Sequence, residues 1–311
     1  MSSTASEGES GEESYNARAN RPPVPELTIS HVQLAEEYGL KAIGLRPPIP
    51  VYLREIWARR HFVLELSSAR EQSNNAESRL GRFWQILNPL LNVGVYFLVF
   101  GVLLNGARAT QHYISWLIIG VFIFSYSQNS VLDGAKSISS NLGLVRALSF
   151  PRALLPISVV VQEFFTLGTS LLVCAVAVIV QTGRGPNWSW LLVVPAVLLQ
   201  SMFGLGLAFV FARITERVRD VAQLLPFALR TWMYLSGVMI DFTHYTRHTH
   251  AIRVLMELNP GAVYPQLVRS ALLSSVHVPL VVWLSGFLWA VLMVLFGFTY
   301  FWRAEARYGR G

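Results

Sequence analysis

Asn141–Ser158 reads NLGLVRALSFPRALLPIS and lies between two long apolar runs, Tyr113–Leu132 and Ala153–Val180. Two basic residues, Arg146 and Arg152, hold the stretch at one membrane face. Pro151 and Pro156 break and restart the chain, because proline removes a backbone donor and clashes with the preceding turn. A short amphipathic turn built from Leu144, Val145 and Leu148 is left to face outward. A segment of this kind is what a membrane protein presents to a soluble partner, and it makes the flanking runs spanning helices.

The composition agrees with that reading. The chain has 311 residues, of which 53% are hydrophobic and 14% charged, with a mean hydropathy of +0.43. A soluble domain carries about 25% charge. Six runs approach or exceed the roughly 20 residues that a helix needs to cross about 30 Å of hydrocarbon. They are Phe83–Leu104, Tyr113–Leu132, Ala153–Val180, Leu191–Ala212, Val221–Ile240 and Val278–Trp302. The expected fold is therefore an all-α integral membrane protein with six transmembrane helices.

The net charge of +7 would suggest nucleic acid in a soluble protein, but here it follows the positive-inside bias, so no nucleic-acid partner is expected. Short loops around Arg108 and Arg184 carry one basic residue each. The other side carries Arg54, Arg59, Arg60, Arg70, Arg79, Arg82, Lys136, Arg146, Arg152, Arg213, Arg217, Arg219, Arg303, Arg307 and Arg310. This asymmetry predicts a multi-pass protein of the cytoplasmic membrane with both termini in the cytoplasm. Residues 1–50 read as a Ser/Glu/Gly- and Pro-rich disordered or extended tail with no signal-peptide core. Residues 51–82 open with VYLREIWARRHFVLELSSAR, whose apolar positions recur at helical spacing against arginines, the pattern of an interfacial amphipathic helix in contact with membrane lipids. Residues 83–311 form the transmembrane domain. Between spans five and six, NPGAVYPQLVRSALL is apolar yet too short to cross, which predicts short re-entrant helices on the outer face. The lone Cys174 cannot form an intrachain disulfide.

Polar groups at bilayer depth are costly and point to function. Glu163 and Arg230 each lie nine or ten residues from the cytoplasmic end of a span, so both sit about 15 Å deep at 1.5 Å per residue. Three readings stay open: a midplane ion pair between them, a place for Arg230 on a water-lined path, or snorkelling and separate partners for each. Aromatic residues gather in spans one and five. Tyr96, Phe97, Phe100, Trp232 and Tyr234 suit either the lining of a path, where aromatic faces offer stacking surfaces, or an interfacial belt. The histidines of HYTRHTH (His244, His248, His250) read as a solvated loop and not as a metal site. No Ser/His/Asp set or carboxylate pair converges, which argues against an embedded hydrolase or glycosyltransferase.

Four blocks carry a family resemblance. SRLGRFWQILNPLLN, LVRALSFPRALLPIS, ERVRDVAQLLPFALRTWMYLSGVMI and ELNPGAVYPQLVRSALL occur in this order and resemble the ABC-2-type membrane subunits of polysaccharide exporters, over roughly Val51–Arg310. Within that family, basic residues that are nearly all arginine point to the galactan exporter of actinobacteria. The resemblance implies export of a lipid-linked polysaccharide by a homodimer, with the chain path between the two copies. It also implies a cytoplasmic ABC ATPase on a separate polypeptide that binds ATP and Mg, since GxxxxGK[ST] is absent here. The segment Asp133–Pro151 then matches the coupling helix, and Asp133, Lys136, Leu144, Val145, Arg146, Leu148, Phe150, Pro151 and Arg152 become ATPase-coupling residues. The same architecture serves exporters of small lipids or drugs. An enzyme of envelope glycan assembly is the alternative from another class.

Overall fold

The computed structural model describes residues 47–76, 83–103, 112–239 and 258–308. Among these residues every regular element is helical. The order is α1 (Ile49–Ala58), α2 (Arg60–Ala76), α3 (Phe83–Tyr96, continued by a π-helical stretch Phe97–Leu103) and α4 (Tyr113–Lys136), followed by α5 (Leu142–Ala147), α6 (Leu154–Thr182) and α7 (Val193–Arg217). The chain then forms α8 (Val221–Leu235), α9 (Pro260–Leu272) and α10 (Leu280–Trp302). Four helices, α4, α6, α7 with its preceding 3-10 turn, and α10, are long and apolar enough to cross a membrane.

Helix α4 is the axis of the bundle. Leu117, Ile119 and Ile123 have no exposed surface, and Phe122, Phe124 and Tyr126 are almost as deeply buried. Because α6, α7, α8, α9 and α3 all pack on it, α4 is almost wholly apolar around its circumference over its first half, Tyr113–Phe124. Side-chain hydrogen bonds fix its neighbours in register. Gln200 Nε2 donates to Ile123 O (2.6 Å) and Ser127 Oγ (2.8 Å), and Tyr126 donates to Ser201 Oγ at 2.6 Å. In a medium without water such bonds replace hydrophobic driving force as interhelical glue. The closest backbone approach is between α7 and α10, where a Cβ on Gly297 would fall on the carbonyl of Gly206. Glycine is required there because the obstacle is backbone and cannot turn aside.

The structure changes several expected boundaries. The amphipathic run is two helices broken at Arg59, where the backbone leaves helical geometry (φ −99°, ψ 22°). Span two runs on to Lys136, and span one is α-helical only to Tyr96. The run expected as span five is helical for 15 residues and stops at Leu235. Gly237, at φ 64°, takes the left-handed conformation that ends helices, and Ser236 Oγ donates to Trp232 O. Helix α9 starts where Asn259 Oδ1 accepts from Gly261 N at 3.0 Å, with Pro260 at the first helical position.

The junction and the open face as candidate functional sites

At the end of the bundle where α4 finishes and α6 begins, the chain folds through a 3-10 turn, α5 and an extended link to Pro151. A second apolar core lies beneath it, formed by Tyr52, Ile138, Val145, Ala153, Leu155, Phe209, Ala212, Phe301, Ala304 and Tyr308. Helix α5 therefore has an inner and an outer side, which sorts the expected coupling residues. Leu148 is 53% exposed, and Asp133, Lys136 and Arg146 are exposed too. Leu144, Phe150 and Arg152 are half-buried and Pro151 is buried. Val145, expected on the outer turn, is 5% exposed and belongs to the core. The correction has a simple cause: in a helix as short as α5, one step of about 100° separates the core-facing position from the outer side.

The segment is pinned at its end by a buried carboxylate. Glu305 Oε2 accepts from Tyr52 at 2.7 Å and Oε1 accepts from Arg152 N at 2.9 Å, while the Arg152 guanidinium donates to Glu305 O. The Tyr52 hydroxyl in turn accepts from Ala153 N at 3.1 Å. Burial pushes the Glu305 carboxyl above its ordinary range, against the pull of the Arg152 N–H and the Tyr52 hydroxyl. Burial and then the neighbouring carboxylate push the Tyr52 phenol up as well. Arg59 Nη1 donates to Ser149 O at 3.0 Å, and the Phe62 and Phe150 rings lie 5.5 Å apart, so α1 and α2 brace the same segment. Glu305 and Tyr52 were not singled out from the sequence. A carboxylate just beyond the last span is an ordinary sight, and only the fold brings it to Arg152.

The expected Glu163–Arg230 ion pair does not form within the chain. Glu163 is 8% exposed and hydrogen-bonds Asn129, with the Asp133 carboxylate nearby. Arg230 is exposed and lies near Tyr96. The reason is rotation about α4. Asn129 and Asp133 share one face of that helix, whereas α8 packs through Leu225 and Leu229 on Val131 and Ala135. Two residues along a helix turn through about 200°, so the two charges lie at similar depth on opposite sides. On the Glu163 side, α2 contributes Arg70, whose guanidinium burial pulls below its ordinary value against the attraction of Asp133.

Of the expected path residues, the structure joins three. Tyr96 on α3 hydrogen-bonds Tyr234 on α8, and Arg230 is within electrostatic range of Tyr96. Trp232 turns the other way. Its Nε1 donates to Asn259 Oδ1 at 3.0 Å and its ring meets Phe124 and Phe203 at 5.7 and 6.2 Å, so it braces the bundle instead of lining a path. Phe97 lies 6.4 Å from the Tyr113 ring and against Gly101, and Phe100 packs on the main core. The exposed side of α8 shows Leu224, Phe227, Arg230 and Tyr234, and that of α3 shows Asn88, Leu91, Asn92 and Val95. This is an open face, mixed in polarity, on helices otherwise apolar.

Arg269 was overlooked in the sequence. It is 2% exposed, donates from Nε to Trp116 O (3.0 Å) and from Nη2 to Val238 O (2.7 Å), and stacks on the Trp116 ring at 3.4 Å. The available signal was an arginine inside a short apolar segment, which calls for a partner. Among the described residues no group of three His, Cys, Asp or Glu could hold a metal ion, and the HYTRHTH tract lies outside them.

Residues 65–273 match the family model described as ABC-2 type transporter. The O-antigen export system permease protein RfbA of Myxococcus xanthus is 29% identical over 209 residues, covering 67% of this chain and 78% of that protein. Two permeases of the same name from Klebsiella pneumoniae are 24% and 26% identical, each over 52% of this chain and 62% of their own length.

Proposed function

This chain belongs to the ABC-2 type transporter family, and from that membership we propose that it is the membrane subunit of an exporter of a lipid-linked polysaccharide. The observation that carries the reading is the family match over 65–273 together with relatives that are permeases of O-antigen export. Hydrolysis then belongs to a separate cytoplasmic ABC ATPase, which holds ATP and Mg. The working unit is a dimer of this chain in the cytoplasmic membrane. Both termini lie on the cytoplasmic side, α3 and α8 complete six spans, and α9 is a re-entrant helix of the outer face. In this arrangement the basic end of the bundle is cytoplasmic, as the positive-inside rule asks.

Asp133–Pro151 is the ATPase-docking element, presented through Leu148, Arg146 and Lys136. Its support is geometric: an exposed leucine that follows two exposed cations, on a segment braced from α1, α2 and Glu305. Movement of the partner is transmitted as rigid-body displacement because the segment's far end is tied into the helix core. The open face of α3 and α8 borders the glycan path, where phenols, amides and aromatic rings let a sugar chain slide without strong retention.

Isolation of the tagged chain from its native membrane tests the reading. The expected result is copurification of a Walker-motif ATPase and, in proteoliposomes, ATP-dependent passage of a lipid-linked glycan. A preparation that processes a glycan substrate with no ATPase present would refute it in favour of an enzyme. Transport of a drug or simple lipid in place of glycan would keep the family and overturn the substrate.

A further inference from the structure

We propose that Arg230, with the phenols of Tyr96 and Tyr234, forms an anion site that receives a phosphate or pyrophosphate group carried on the passing substrate. The proposal rests on the reading of the α3/α8 face as the border of the translocation path. Its starting point is an imbalance of charge. Helices α3 and α8 contain no Asp or Glu, and Arg230 is their only Lys or Arg. The guanidinium is exposed and makes no ion pair among the described residues; it lies within electrostatic range of Tyr96, which hydrogen-bonds Tyr234. A guanidinium facing plain hydrocarbon at this depth is strongly disfavoured, so the position calls for an anion that comes and goes.

The donor set selects the anion. Arginine offers a planar fork of N–H groups that matches two phosphate oxygens, with no acceptor of its own. Each phenol adds an O–H donor once its partner hydrogen bond is exchanged for a phosphate oxygen. Three donating side chains from two helices therefore converge where no carboxylate competes. One cation per chain suits an isolated phosphate group and not a polyanion, which would need a row of countercharges. Along α3, Asn88 and Asn92 are exposed at successive four-residue steps below Tyr96. That spacing places all three on one helix face, so the amides can serve sugar hydroxyls next to the phosphate site.

The test uses the subunit with its ATPase, purified together into phosphatidylcholine nanodiscs, and tritiated geranylgeranyl pyrophosphate as probe. The probe should bind about tenfold more tightly than geranylgeraniol. R230Q should lower its affinity about tenfold, to the level of the alcohol, while R230K, which keeps the charge but loses the fork, should stay within about threefold of wild type. The double variant Y96F/Y234F should weaken binding by about threefold. Should R230Q fail to elute as an intact complex, R230K and Y96F/Y234F carry the comparison. Equal probe binding by wild type and the variants overturns the site. Equal displacement by phosphatidylglycerol nanodiscs assigns the contact to bilayer headgroups and overturns it too. If R230Q keeps probe affinity in a complex that still exports glycan, the anion site falls and the exporter reading stands. If the wild-type complex exports no glycan, that reading falls and takes the proposal with it.

Discussion

Arg269→Met is the most demanding test of how α9 is held. The substitution keeps an apolar stem of similar reach and removes the donors to Trp116 O and Val238 O. Hydrogen bonds to a charged group contribute about 1.5–3 kcal/mol each. The guanidinium stacked on Trp116 contributes about 2 kcal/mol in a desolvated site. Against this gross loss of roughly 5–8 kcal/mol stands the relief of a buried charge, a penalty of several kcal/mol. The net destabilisation is therefore about 2–4 kcal/mol, or a fall in Tm of roughly 5–15 °C for a chain of this size. Thermal unfolding of the detergent-solubilised subunit, followed by size-exclusion chromatography, reads it. Gly120→Ala supplies the second arm, because a Cβ there would meet the Arg269 guanidinium and, at 2.9 Å, the Val238 carbonyl oxygen. It should cost a comparable amount in wild type and less in the Arg269→Met background, where the contact with the Val238 carbonyl is left. Additive losses in that cycle, or an Arg269→Met protein as stable as wild type, would refute the claim that the two positions share one constraint.

Leu148→Asp should abolish copurification of the ATPase without shifting Tm, whereas Val145→Asp should lower the yield of folded protein, because only the first side chain is exposed. At the Tyr52–Glu305–Arg152 junction, the carboxyl has a folded-state pKa above its ordinary 4.5. Its protonated form thus contributes stability that is complete below 4.5 and lost as pH rises through the folded value. Wild type should lose Tm relative to Glu305→Gln between acidic and neutral pH, and the opposite slope would sink the assignment. For orientation, once Cys174 is replaced, a cysteine at Trp188 should react with impermeant thiol reagents in intact cells and one at Ser149 should not; the reverse pattern would invert the topology.

Hydropathy alone located α4, α6, α7 and α10, because a helix in hydrocarbon must be apolar for its whole length. The break at Pro151 was legible for a related reason, since it is a consequence of local backbone chemistry. What the sequence hid is rotation. Depth along a helix can be counted residue by residue, and so Glu163 and Arg230 looked like partners. Which way each points depends on where α6 and α8 land on α4, and hydropathy, which measures depth, does not say. The same ambiguity put Val145 outside and sent Trp232 toward the path. Arg269 announced only that it needed partners: its hydrogen-bond acceptors include two backbone carbonyls, which no residue type identifies.

The Tyr52–Glu305 contact joins positions 253 residues apart. Translation delivers Tyr52 well before Glu305, so the tyrosine hydroxyl and the Arg152 amide wait for an acceptor that the ribosome has not yet made. The Asp133–Pro151 segment acquires this anchorage only once Glu305 has been added. A chain cut short before Glu305 would keep every long apolar helix and still leave that segment loosened where it meets Arg152.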